Sequence, residues 1–160
     1  MNKVTIPSNR TIAVGALAGV AATVPMTLFM HSMHNLLPRH AQYSLPPEQI
    51  TASAANAVGL SSEPEHPGWE WKTYAGHFAY GAAMGTGYAA LERALPNDPK
   101  ASGLAYGLGV WTLSYLGWLP VAQHRAAATN EPQERNLLMV ASHAVWGISC
   151  ALAFRKLARR

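Results

Sequence analysis

Two short stretches carry the side chains with the most capacity for chemistry. Gly76-His77-Phe78-Ala79-Tyr80-Gly81 and Ser142-His143-Ala144-Val145-Trp146-Gly147 share the form small-His-x-x-aromatic-Gly, and each lies a few residues inside an uncharged run. An imidazole at that depth has three uses. It can hydrogen-bond between helices, with Ser142, Ser149, Thr27 or Tyr115 as partner. It can take up a proton near its ordinary pKa of ~6.5, and charging a buried pair would push helices apart. It can also ligate Zn, Cu or Fe. His31 and His34, three residues apart and therefore on one helix face, join His77 and His143 as candidates for the last two uses. The spacing is no metal motif: there is no HExxH, no CxxCH and no carboxylate in the same turns. No resident cofactor is therefore expected, with a bound metal or haem as the alternative.

The elements that position these histidines follow from the charges. Four uncharged gaps, from Arg10 to Arg39, Lys72 to Glu92, Lys100 to Arg125 and Arg135 to Arg155, hold 28, 19, 24 and 19 residues. A helix needs about 20 largely apolar residues to cross a ~30 Å hydrocarbon core. Soluble core helices would carry a charged solvent face. The gaps therefore predict an all-α integral membrane four-helix bundle in one domain, residues 1–160. Its spans are expected at about 11–37, 73–91, 101–119 and 136–154. With both termini cytoplasmic, the inner side holds eight Lys and Arg residues against four outside, Arg39, Lys72, Arg125 and Arg135. That asymmetry predicts N-in, C-in under the positive-inside rule, and it places all seven histidines in the outer half or outer loops. The net charge of +4 thus reads as membrane orientation, with the basic 155–160 tail on anionic inner-leaflet lipid. Nucleic acid is not an expected partner. The lipid bilayer is, and so is a second copy or a membrane-complex subunit.

Nothing in the chain spells out a reaction. No carboxylate sits within a span, the single cysteine, Cys150, has no histidine near it in sequence, and no nucleophile elbow or phosphate-cradling loop is present. The chain does not read as an enzyme.

Taken in order, Thr11 to Met30 is apolar for longer than the 7–15-residue core of a signal peptide, so a retained span is expected, continuing to Leu37 and stopped by Pro38. Pro25 should kink it, freeing a carbonyl for Thr23 or Thr27. The outer loop, 38–72, contains a short helix at about 47–58, opened by Pro46-Pro47-Glu48 and closed by Gly59. A turn-rich stretch follows, with Pro64 and Pro67, and then Trp69 and Trp71 at headgroup level. Pro96-Asn97-Asp98-Pro99 is a tight turn, and Trp111, Tyr115 and Trp118 form an aromatic stripe before Pro120 ends the third span. Asn130 is the expected cap of the last helix. Small residues recur four apart: Gly15 and Gly19, Gly81 and Gly85, Gly103 and Gly107, and Gly147 with Ala151. Such spacing lets membrane helices approach closely.

Aligning His77 with His143 also pairs Tyr80 with Trp146 and Gly81 with Gly147, while Gly15 and Gly19 match Gly103 and Gly107. This predicts a duplicated helical hairpin, two parallel repeats related by an axis along the membrane normal. Tyr74-Ala75-Gly76-His77 opening one span, with Ser142-His143-Ala144-Val145-Trp146 and the Arg155-Lys156-Leu157-Ala158-Arg159 tail in another, resembles the YagU-like bacterial inner-membrane proteins over spans two to four. The outer loop does not match. The resemblance implies a small multi-pass inner-membrane protein associated with tolerance of acid or envelope stress, and it transfers no catalytic residues. A metal- or haem-binding membrane subunit, or a small transporter component, is the alternative.

Overall fold

A computed structural model of the chain describes residues 8–42, 44–57, 69–121 and 130–159. It contains helices and turns, with no strand among the described residues. Helix α1 spans Asn9–His34, α2 Pro46–Ala57, α3 Trp69–Leu91 and α4 Pro99–Thr112. A π-helical segment, Leu113–Trp118, then leads into the short α5, Leu119–Val121, and α6 spans Gln133–Ala158. Of these, α1 and α6 are long and apolar enough to cross a membrane. Helix α3 begins with Glu70 and Lys72 and is rich in Gly, Tyr and Thr, which lowers its mean hydropathy. Helix α4 stops at 14 residues because its backbone changes to π winding.

The helix ends follow local chemistry. Ser8 caps α1 by accepting from the Thr11 N–H at 3.2 Å, and Asp98 caps α4 by accepting from the Ala101 N–H at 2.8 Å. Each such cap is worth about 1 kcal/mol. Helix α1 ends at His34, not at Leu37, because Leu36 and Leu37 turn back on Met33 and His34. The Gln42 amide then donates to the carbonyls of Leu37 and Asn35 at 2.7 and 3.2 Å. Asn130 does not cap α6. The capping position is Pro132, which offers no side-chain acceptor. Around Pro25, Thr27 Oγ1 donates to the Thr23 carbonyl and Thr23 Oγ1 to the Gly19 carbonyl, 2.8 and 2.9 Å away. Helix α4 runs into π winding and α5 carries the chain through Pro120 to Val121. His66, His124, Pro64, Pro67, Gly59 and Arg125 lie outside the described residues.

Helix α1 packs along both α3 and α6, and α6 packs along both α1 and α4. Two of these contacts are built from glycine. A methyl group added at Gly15 or Gly19 would strike the backbone of Gly85 or Gly81, and one added at Gly85 would strike Gly15 and Gly19. In the other pair, Gly103 lies on Gly147, Gly107 on the His143 carbonyl, and Gly147 on Gly103 and Gly107. With no side chain in the way, backbones meet directly. The two glycine contacts superpose when Gly15 and Gly19 are matched with Gly103 and Gly107. On α3 and α6, however, Gly85 then matches Gly147, and Gly81 matches His143. The sequence alignment of His77 with His143 is one helical turn out of step with the packing.

The packing leaves two buried clusters. One joins Ala18, Ala22, Met26, Tyr88, Trp146 and Phe154, and the other Met30, Leu45, Tyr115, Leu119, Leu138 and Met139. Large apolar side chains also remain exposed on the outer faces, among them Leu17, Val24 and Leu28 of α1, Leu104 of α4, and Leu137 and Leu152 of α6.

Candidate functional site

Helices α3 and α4 are bridged by tyrosines rather than by close backbone approach. Tyr80 Oη pairs with Ser114 Oγ and Tyr88 Oη with Ser102 Oγ, both at 2.8 Å, and Tyr106 Oη donates to the Met84 carbonyl at 2.7 Å. The rings of Tyr88 and Tyr106 meet edge to face at 5.3 Å, as their quadrupoles favour. Holding the helices apart in this way leaves a cavity of about 320 Å³ between α1, α3, α4 and α6. Pro47, Ile50 and Thr51 of α2 contribute to its lining. Ile50 packs on the Met30–Tyr115 cluster, so α2 lies against the other helices.

Corresponding positions of α3 and α6, in the register set by the glycines, face this space together. His77 matches Met139, Gly81 matches His143, and Met84 matches Trp146, and all six line the cavity. Sequence reasoning singled out His77 and His143 but passed over Met84 and Met139. The available signal was an alternative alignment, with Gly85 on Gly147, Ala89 on Ala151 and Arg93 on Arg155. The π segment shapes the fourth wall. Gly117, at φ −109° and ψ −105°, departs from helical geometry, and Ser114, Tyr115, Trp118 and Leu119 all face the cavity. Such π segments are frequent at functional sites.

His143 is held firmly. Its Nδ1 lies 2.8 Å from the Met139 carbonyl of its own helix, and Tyr115 packs edge-on against its ring at 5.6 Å. A carbonyl can only accept, which assigns the proton to Nδ1 and leaves Nε2 of the neutral ring as an acceptor. Ser142 and Thr27, suggested partners for a histidine, instead donate to carbonyls within their own helices. His77 is held differently. Its Nε2 is buried and has no hydrogen-bond partner among the described residues. It also borders a second, more polar cleft of about 460 Å³, which His31, Glu48, Glu70 and Tyr74 line as well. His31 Nε2 lies 3.4 Å from Tyr74 Oη there. The four candidate histidines are thus brought together only in part. His77 and His143 share the cavity, His77 and His31 share the cleft, and His34 lines neither. No three His, Cys, Asp or Glu side chains converge as a metal-binding group among the described residues.

One residue in the first turn of α6 escaped the sequence reading. Arg135, counted there only as an outer positive charge, is 1% exposed. Its guanidinium donates to the carbonyls of Ala41 and Ser44 at 3.1 and 2.9 Å and pairs with Glu131 at 3.4 Å. It therefore ties the loop before α2 to the start of α6. The only local trace was Glu131, four residues earlier; the loop carbonyls are about ninety residues away in sequence.

Comparison with known proteins bears on the family alone: no curated protein and no solved structure matches the chain. The family model described as "Protein of unknown function (DUF1440)" matches residues 34–152, from the last residue of α1 to within α6, and the chain belongs to that family.

Proposed function

We propose that this chain is a multi-pass protein of the bacterial inner membrane, and that its working part is the cavity, which binds an apolar small molecule within the bilayer. In this reading α1, α3, the α4–α5 segment and α6 are four spans with both termini inside, arranged as two parallel-repeat hairpins. Leu17, Val20, Val24 and Leu28, three or four apart on α1, form an exposed apolar stripe that supports lipid contact, because contiguous exposed apolar surface marks an interaction or membrane face. The repeated glycine contacts support membrane packing, where small residues rather than hydrophobic burial bring helices together. The likeness to YagU-like proteins belongs to the same reading, with a role in tolerance of acid or envelope stress.

The observation that carries the proposal is the placement of His77 and His143 on one apolar cavity of about 320 Å³. Ligand sites have this character: mostly apolar walls with a few placed polar groups. A cavity of roughly 150 Å³ already takes a benzene-sized molecule. The shared placement also favours a second reading, a proton-responsive pair. Replacing both histidines with glutamine should then abolish any acid-induced change in helix packing.

A brominated aliphatic chain, 1-bromooctane, quenches tryptophan on contact and tests the binding reading through Trp118 and Trp146. Saturable quenching in nanodiscs, lost when Ser114→Phe fills the cavity, is the expected result. Linear quenching, unaltered by that substitution, would overturn it. Topology is checked in a Cys150→Ser background by labelling intact cells with an impermeant maleimide. Ser44→Cys should react and Asn97→Cys should not.

A further inference from the structure

We infer that the cavity takes a lipid-soluble phenol, its ring among the aromatic walls and its hydroxyl donated to His143 Nε2. The inference rests on the reading of the cavity as an apolar binding site and names the chemistry of its ligand.

Because Nδ1 of His143 is committed to the Met139 carbonyl, the neutral ring can offer the cavity only an acceptor. A ligand that answers it must bring a donor, which excludes simple ketones, ethers and hydrocarbons as the best fit. A buried acceptor left without a partner costs more than the hydrogen bond itself is worth, so the discrimination should be pronounced. His77 borders the same cavity, but its Nε2 is itself buried, so the polar demand on a ligand comes from His143. Tyr80 and Ser114 satisfy each other at 2.8 Å and add no strong competing demand.

The walls then select the body of the ligand. Tyr80, Tyr115, Trp118 and Trp146 present rings to the space, and Met26, Met30, Met84 and Met139 present thioethers. Flat rings stack on aromatics and make favourable sulfur contacts. A bare alkyl chain uses neither. The volume of about 320 Å³ holds a ring and the first part of a tail. The remainder can leave between α3 and α4, which are held by the Tyr80–Ser114 and Tyr106–Met84 hydrogen bonds rather than by close backbone approach.

The test is displacement of 1-bromooctane from the full chain in nanodiscs, using 4-nonylphenol, 4-nonylanisole and 1-nonanol. The phenol should bind about ten-fold more tightly than its methyl ether, which keeps the ring and tail but loses the donor. It should also exceed the alcohol, which keeps the donor but loses the ring. His143→Phe keeps a ring against Tyr115 and should bring phenol and anisole to parity while leaving anisole binding within about two-fold. Equal binding of phenol and anisole to the unaltered protein would overturn the inference while leaving the cavity reading intact. Failure of every probe to displace bromooctane saturably would overturn the cavity reading itself. If the Phe variant does not fold, the wild-type ratio alone decides the matter.

Discussion

The helix pair α1–α3 and the helix pair α4–α6 are built on the same glycine contact, and they differ at one decisive position. The first pair has glycine at all four crossing points, Gly15, Gly19, Gly81 and Gly85; the second has Gly103, Gly107 and Gly147, with His143 where Gly81 would stand. At that point α4 approaches the His143 carbonyl, not its side chain, so the imidazole is directed away from the crossing and borders the cavity. One pair therefore meets glycine on glycine throughout, and the other keeps the same backbone approach with an imidazole bordering the cavity. Their accompanying helices differ in a parallel way. Helix α1 passes Pro25 as continuous α-helix, whereas α4 breaks into π winding where it meets the cavity.

The comparison can be broken most forcefully at its shared element. Gly19→Ala and Gly103→Ala each drive a methyl group into facing backbone, and each should destabilise the protein by about 3 kcal/mol. Equal costs in denaturant titration of the reconstituted protein would fit equivalent hairpins; a large inequality would break the equivalence. Next in size is Arg135→Ala, which strands the carbonyls of Ala41 and Ser44 and should cost about 2 kcal/mol. Hydrogen exchange should rise in residues 39–57 while α1–α3 protection holds. A smaller effect is expected from His143→Gly, which gives the second hairpin the glycine of the first. A helical glycine costs about 1 kcal/mol relative to alanine, and the α4–α6 spacing measured between spin labels should be unchanged. The smallest effect is Gly109→Ala. No atom lies within 4 Å of the added methyl, so a gain of about 0.5 kcal/mol is expected, opposite in sign to Gly19→Ala.

What the sequence made legible was local. Uncharged gaps, glycines four apart, the proline-glutamate start of α2 and the turn at 96–99 are each written within a few residues. Pairing information is not. The His-x-x-aromatic-Gly match looked like the repeat register because its residues are conspicuous, whereas the packing follows the less conspicuous Gly85 and Gly147. Helix ends went astray where a distant group intervenes, as Gln42 does beyond the end of α1. The role of Arg135 depended on loop carbonyls far away in the chain. The histidines could be singled out by type and depth. That His77 and His143 share one cavity required the crossing geometry of three helix pairs.

The π segment makes one wall of the cavity a matter of counting. A π turn carries an extra residue relative to an α turn, and each residue of an α-helix advances the chain by about 100°. Everything after Leu113 is therefore rotated relative to the face that an unbroken α4 would present. Deleting a single residue between 113 and 118 would leave the composition almost unchanged, yet it would swing Trp118 and Leu119 to another bearing. Lengthening or shortening this segment by one is a route by which related chains could reshape this wall of the cavity without altering any side chain on the other three.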